Sequence, residues 1–90
     1  SYGKLRPEWL DAFEEYYRAI PCGPTYEAHL ETLSEKTGLT FDINNRYTEQ
    51  TGWDIAKTSQ IAFENVFMSI IKPFLEEYPN IPLVVSGDVG

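Results

Sequence analysis

Apolar residues recur at helical spacing in the first part of the chain, between about Pro7 and Ala19. Residues three or four apart share one side of an α-helix, so this pattern predicts a first helix, and a proline suits its opening turn. We expect its apolar side to be core rather than a platform for stacking bases, because the chain is acidic. The positions on that side are Trp9, Leu10, Phe13, Tyr16, Tyr17 and Ile20.

A second helix is predicted after the sequence Pro-Cys-Gly-Pro, which breaks the first pattern. Thr25 can cap its start, and Gly38 is the expected stop. Residues 39–50 alternate only briefly between apolar and polar types before a run of turn formers, which predicts an extended segment and a loop. The inward positions of this helix are Tyr26, Leu30 and Leu33.

The longest helical pattern opens at Thr51 and runs to about Tyr78. Thr51 is the expected cap, with Asp54 at the reciprocal position of a capping-box-like pair. Pro73 should kink this helix near residues 69–73, because its ring nitrogen cannot donate a backbone hydrogen bond. The apolar stripe is too wide for a solvated surface helix, so we expect other elements to cover it. Its positions are Ile55, Ala56, Ser59, Ala62, Phe63, Val66, Phe67, Ile70, Ile71, Phe74, Leu75 and Tyr78.

A last apolar run, Ile81 to Val85, follows Pro79 and Asn80 and predicts a β-strand. A helix that leads through a tight turn into an apolar strand is half of a βαβ unit, whose strand normally pairs on both sides within a sheet. The sequence therefore predicts a mainly α segment with a C-terminal strand, an α+β piece of a larger α/β domain. No domain boundary divides residues 1–90.

The charge of the chain limits its partners. Its 90 residues carry a formal net charge of −7, which argues against nucleic acid and anionic membranes as direct partners. The single cysteine, with no signal peptide and no long apolar run, favours a cytoplasmic protein. The acidic pairs are predicted to be solvated surface: Glu14 with Glu15, and Glu76 with Glu77.

Candidate chemical residues are few, and each has a plainer interpretation. His29 either joins neighbouring acids at a metal, or is a surface or helix-packing histidine. The second interpretation is favoured because side chains one or two apart on a helix diverge. Cys22 is either a nucleophile or an inert loop thiol, and it has no readable base partner. Gln60 and Glu64 share a helix face and meet either a ligand or water. Lys4 either contacts phosphate or stays free. No catalytic residue and no metal ligand is predicted.

Three short motifs occur in a fixed order along the chain. They are Ser1-Tyr2-Gly3-Lys4, like the end of Met-Gly-Leu-(Ala/Ser)-x-Tyr-Gly; Asp54-Ile55-Ala56 with Gln60 and Glu64, like Asp-Ile-Ala-x-x-x-Gln-x-x-x-Glu; and Val84-Val85-Ser86-Gly87, like a strand entering Gly-Gly-x-x-(Leu/Ala)-Asn. In order and spacing they resemble the O-carbamoyltransferases of the nodulation and antibiotic-biosynthesis type. That family lies within the actin-like, sugar-kinase-like nucleotide-binding superfamily, so the resemblance implies an internal piece of an actin-like, ribonuclease-H-like α/β domain.

The resemblance also implies a chemistry for the parent protein. Such enzymes form a carbamoyl adenylate from carbamoyl phosphate and ATP, then transfer the carbamoyl group to a hydroxyl of a sugar, an aminoglycoside or a related acceptor. They use a divalent metal held by several histidines that are not present here, so the 90-residue piece alone is expected to be inactive.

Nucleotide contact is implied at Ser86, Gly87 and Asp88, and at Gln60 and Glu64. Asp88 stands where the family has a second glycine. Its carboxylate would repel a phosphate but could bind a ribose hydroxyl.

A different class of function is also open. The chain could be a small acidic helical module that binds a partner protein through its aromatic surface, with its last residues as a tail or as an edge strand that adds to the partner's sheet. Each of these functions implies different partners. They are the remainder of a parent chain with a small hydroxyl acceptor, a partner protein, or a second copy of this segment that buries the wide stripe.

Overall fold

The computed structural model describes residues 2–21, 26–42 and 44–80. They form three helices: α1 (Pro7–Ala19), α2 (Tyr26–Thr37) and α3 (Glu49–Glu77). α1 packs against both of the other helices. A mainly helical chain is therefore confirmed. The described residues contain no β-strand, and the predicted strand at residues 81–85 lies outside them.

The core forms where α1 meets the other two helices. Trp9 and Phe13 are buried, as the stripe on the first helix predicts, and the ring of Phe41 packs edge-on against Phe13 at 6.2 Å. Tyr16 and Tyr17 pack at the edge of this core and are half-buried. The core cluster consists of Trp9, Ala12, Phe13, Leu33, Leu39 and Ala62.

Proline and glycine set two of the helix ends as predicted. Pro7 opens α1, whose predicted bounds are confirmed. α2 stops before Gly38, which takes a φ of 74° and donates its N–H to the Ser34 carbonyl at 2.9 Å. This left-handed conformation suits glycine because it has no Cβ. Thr25, the expected cap of this helix, lies outside the described residues.

The predicted start of α3 is wrong. The helix begins at Glu49, and its N-cap is Thr48, whose hydroxyl accepts a hydrogen bond from the Thr51 N–H at 3.3 Å. Two threonines stand three residues apart, and the earlier one caps the helix. Asp54 takes no part in a capping box, because its carboxylate is buried against the N-terminal segment.

Thr48→Ala should lower the free energy of unfolding by about 1 kcal/mol, since the substitution leaves a first-turn N–H of α3 without its cap. Urea denaturation followed by circular dichroism measures the change. Thr32→Ala is the control, because the Thr32 hydroxyl bonds the Ala28 carbonyl within its own helix, α2, and alanine favours helix. Equal losses in both variants would contradict the assignment of the cap.

The second half of α3 extends past the core. The buried line along this helix comprises Asp54, Thr58, Ala62 and Val66. The helix continues through Pro73 to Glu77, and the Tyr78 N–H donates to the Phe74 carbonyl at 2.9 Å. The described residues cover the wide apolar stripe only in part. Large apolar side chains that stay exposed on α3 are Trp53, Phe63, Met68, Ile70 and Phe74, with Tyr78 at its C-cap.

No helix among the described residues combines the length and the apolar character needed to cross a membrane.

Candidate functional site

The most connected polar group is the carboxylate of Asp54, in the first turns of α3. Only 1% of Asp54 is exposed. Its Oδ1 accepts from the Lys4 backbone N–H and from Gln50 Nε2, each at 2.8 Å. Its Oδ2 accepts from Arg6 Nε, also at 2.8 Å. Both oxygens are therefore used, and two of the donors come from the N-terminal segment.

Thr58, one turn further along α3, holds the same segment. It is fully buried, and its hydroxyl accepts the Arg6 backbone N–H at 2.8 Å. The Arg6 guanidinium also lies 4.8 Å from the centre of the Trp9 ring, which ties the segment to α1. We call Lys4, Arg6, Gln50, Asp54 and Thr58 the Asp54 cluster.

Gly3 brings the N-terminal segment into direct backbone contact with α3. A Cβ at this position would stand 2.1 Å from the Trp53 carbonyl oxygen and 2.8 Å from the Lys57 Cβ. The ring of Tyr2 packs on the ring of Trp53, with centroids 5.2 Å apart. Only glycine fits this approach, because any side chain would push the segment off the helix.

The surroundings of Asp54 favour its charged form. The Lys4 N–H lowers the pKa of this carboxyl most; burial opposes the change, and the hydrogen bonds from Gln50 and Arg6 lower the pKa further. Asp54 is therefore ionised at neutral pH. A carboxylate in this state, with both oxygens bonded, acts as a structural anion and cannot serve as a general acid.

The cluster joins two of the three motifs found in the sequence. The Tyr-Gly-Lys motif at residues 2–4 lies against the helix that carries Asp54. Lys4 contributes its backbone N–H, a role that neither interpretation of its side chain included. Sequence reasoning missed Arg6 and Thr58 because their contacts span about fifty positions. It also missed Gln50, whose position one turn before Asp54 was the available signal.

The other predicted site residues do not join this cluster. Gln60 and Glu64 are half-buried on another side of α3, and neither hydrogen-bonds a described residue. Ser86, Gly87 and Asp88 lie outside the described residues, as does Cys22.

His29 lies between α1 and α2, as the packing interpretation predicts. Its Nε2 is buried and has no hydrogen-bond partner among the described residues. It borders a cavity of about 30 Å³ that Tyr16, Thr32 and Leu33 also line. A cavity of that volume is large enough for one water molecule. Within the part of the chain that the structure describes, no three His, Cys, Asp or Glu residues group as they would around a metal ion.

A second cavity, of about 280 Å³, opens between α2 and the residues that follow it. Leu30 and Phe41 form its apolar wall, while Glu27, Glu31 and Asp42 supply three carboxylates. Like charges repel, so this cavity does not suit the phosphates of a nucleotide. The first cavity is too small for one.

One of the acidic pairs differs from the prediction. Glu14 is not a solvated residue: only 17% of its side chain is exposed, and it accepts from Asn65 Nδ2 at 3.1 Å across the α1–α3 contact. Its position near the edge of the buried face of α1 explains the difference. Glu15 pairs with Lys36 of α2. Glu76 and Glu77 are exposed, as predicted.

Comparisons with protein-family models, with curated proteins and with solved structures find no match to this chain.

Proposed function

We propose that this chain is an internal segment of an O-carbamoyltransferase and that it helps to build the actin-like domain of that enzyme. The proposal rests on the resemblance of three motifs to that family. The observation that supports it best is the contact between the first two motifs. Gly3 and Asp54 lie about fifty positions apart in the chain. The close approach to α3 explains the glycine, and the N–H that Lys4 donates explains the buried aspartate.

The Asp54 cluster accounts for the chemistry of both motifs. A glycine is required where the chain crosses the Trp53 carbonyl, and a buried carboxylate is required where the Lys4 N–H and the Arg6 side chain converge. The contact between the two motifs is compatible with one packing arrangement that both serve.

The described residues hold the domain together and take no chemical step in this proposal. The remainder of the parent would supply the other contacts to ATP and hold the divalent metal, with Ser86, Gly87 and Asp88, and Gln60 and Glu64, as the nucleotide contacts expected from this segment. The parent would act on carbamoyl phosphate and on the hydroxyl of a sugar or antibiotic-like acceptor, in the cytoplasm. The isolated segment would be inactive.

The test is a carbamoylation assay of the longer parent protein, loaded with metal and supplied with carbamoyl phosphate, ATP and candidate acceptors. We expect AMP release that depends on carbamoyl phosphate. Gly87→Ala should reduce it about tenfold, which corresponds to roughly 1.4 kcal/mol of lost stabilisation. Gly52→Ala is the matched control, because a Cβ there meets open space and the rate should not change.

Two results would count against this proposal. If a folded, metal-loaded parent releases no AMP, the chain resembles the O-carbamoyltransferases in architecture only. Equal loss of rate in the Gly52 and Gly87 variants would remove the assignment of the glycine turn to the nucleotide.

The second candidate is an acidic helical module that binds another protein. The observation that favours it is the set of large apolar side chains on the second half of α3, which the described residues leave exposed. That surface is compatible with either function, because a parent domain or a separate partner could cover it. Carbamoyl phosphate-dependent AMP release separates the two candidates.

A further inference from the structure

Three polar side chains on one side of α3, spaced four residues apart, bond the backbone of the N-terminal segment at every second residue. The pairs are Gln50 with the Tyr2 carbonyl, Asp54 with the Lys4 N–H, and Thr58 with the Arg6 N–H. Four residues of an α-helix rise about 6 Å, and two residues of an extended chain advance about 6.6 Å. These spacings match closely, so the three side chains fit an extended peptide. We call them the α3 ladder.

The α3 ladder sets chemical requirements on the peptide that occupies it. The backbone must supply a carbonyl and, two and four residues later, an N–H group. The residue after the carbonyl must be glycine, because a Cβ on Gly3 would stand 2.1 Å from the Trp53 carbonyl oxygen. Three residues after the glycine, Arg6 donates from Nε to Asp54 at 2.8 Å. The ladder therefore fits an extended segment with the pattern glycine, any residue, any residue, arginine.

The N-terminal segment, residues 2–6, can leave the ladder without opening the core. None of these residues belongs to the core cluster of the described part of the chain, and Tyr2 and Leu5 are 81% and 40% exposed. The core forms where α1 meets the other two helices. Segments with few buried apolar contacts open at a lower free energy than the rest of a fold. Local opening of this segment therefore precedes global unfolding.

Departure of the segment would leave the ladder in need of donors. Asp54 is ionised at neutral pH, and it would lose the Lys4 N–H and the Arg6 guanidinium together. A carboxylate held in a largely buried position is costly without donors, so the ladder favours a segment that returns both groups. The net charge of −7 adds a general attraction for basic peptides.

We propose that the α3 ladder is a docking site for an extended glycine-x-x-arginine segment of a partner protein, and that residues 2–6 occupy it in cis as a built-in competitor. Main-chain hydrogen bonds supply affinity, and the glycine and the arginine supply specificity, as in other sites that bind extended peptides. While the chain's own segment is seated, it excludes the partner. When the segment lifts, the partner's segment takes its place.

This inference goes beyond the proposed function, since it makes no use of carbamoyl transfer. Peptide binding is measured on the 90-residue chain, and AMP release is measured on the parent. Failure of one therefore leaves the other standing.

A labelled peptide tests the site on the full chain. The probe is an acetylated, fluorescein-labelled peptide of residues 2–7, and its binding is followed by fluorescence anisotropy. The Gly3→Ala chain should bind it at least about tenfold more tightly than the wild type, because its own segment no longer competes at an effective concentration of roughly millimolar. Gly52→Ala is the matched control and should bind as the wild type does, since a Cβ there meets open space. Circular dichroism verifies that both variants keep their helices.

Changed peptides test the glycine and the arginine. Peptides that carry Gly3→Ala or Arg6→Gln should each bind the Gly3→Ala chain at least about tenfold more weakly than the original peptide. The peptide with Leu5→Ala is the control and should bind as the original does, because Leu5 is 40% exposed and lies between the residues that the ladder bonds.

Amide exchange tests the same site in the wild-type chain. Peptide at about 10 mM exceeds the effective concentration of the tethered segment and should displace it, which speeds exchange of the Lys4 and Arg6 amide hydrogens. The amides of Phe13 and Val66, two buried residues, should stay protected. The peptide with Gly3→Ala should change none of these rates. If the Gly3→Ala chain loses its helices, this measurement decides alone.

Three results would overturn the proposal. Equal affinity of the wild-type and Gly3→Ala chains would mean that the peptide binds elsewhere. Equal binding of the original peptide and the peptide with Gly3→Ala would mean that net charge alone attracts it. Unchanged exchange at Lys4 and Arg6 in about 10 mM peptide would mean that the segment is a permanent part of the fold.

Discussion

Gly3→Ala should lower the free energy of unfolding by about 1–3 kcal/mol, the usual cost of forcing extra atoms into a packed contact. The added methyl would stand 2.1 Å from the Trp53 carbonyl oxygen, and backbone cannot yield as a flexible side chain can. The N-terminal segment would have to lift from α3. That movement would loosen the hydrogen bonds that Lys4 and Arg6 give to Asp54 and Thr58.

Gly52→Ala provides a control in which the same substitution has the opposite sign. Gly52 lies inside α3, and a Cβ there meets nothing within 4 Å. Alanine should stabilise the chain by roughly 0.5–1 kcal/mol, because glycine loses more backbone freedom in a helix. Urea denaturation of both variants at neutral pH measures the two changes. If Gly3→Ala leaves stability unchanged or raises it as Gly52→Ala does, the close approach at Gly3 is not present in solution.

Asp54→Asn should destabilise the chain at neutral pH and have progressively less effect in acid. The folded protein holds the pKa of Asp54 below its ordinary value of 3.8, chiefly through the Lys4 N–H. A carboxyl with a lowered pKa contributes stability above its ordinary pKa, and that contribution is lost as the pH falls through the folded value. Asparagine carries no charge for Arg6 and can turn an N–H₂ group towards the Lys4 N–H. The difference between wild type and variant should therefore be largest above pH 5.

Denaturant unfolding at several pH values between 7 and 2 tests this dependence. Asp11→Asn is the matched control, because Asp11 is an exposed aspartate on α1 and its replacement should change stability little at any pH. A loss in Asp54→Asn that stays constant down to pH 2 would show that the side chain acts through its shape and not through its charge.

Local sequence signals predicted the parts of the fold that depend on near neighbours. Pro7 and Gly38 set helix ends because each acts on the backbone of its own turn. The start of α3 was predicted three residues late because the prediction considered only residues close in sequence. Asp54 resembles part of a cap when only its neighbours are considered, yet two of the three donors to its carboxylate belong to Lys4 and Arg6.

The candidate site was visible only in part for the same reason. Gly3 and Asp54 attracted notice as members of motifs, but no pattern in the sequence says that they touch. Arg6 carried no signal, since a single arginine before a helix is ordinary. The width of the apolar pattern on α3 was readable because it is periodic. What covers that pattern depends on a surface beyond the helix, so the periodicity could not predict it.

The Asp54 cluster also has a consequence for the order of folding. Three of its bonds join residues 48 to 52 positions apart in the chain, and so closing them costs more chain entropy than the contact between consecutive helices α1 and α2. Helices α1 and α2 can dock early, whereas the N-terminal segment must wait until α3 is in place. The first six residues therefore report, through the exchange of the Lys4 and Arg6 amide hydrogens, on the last step of assembly.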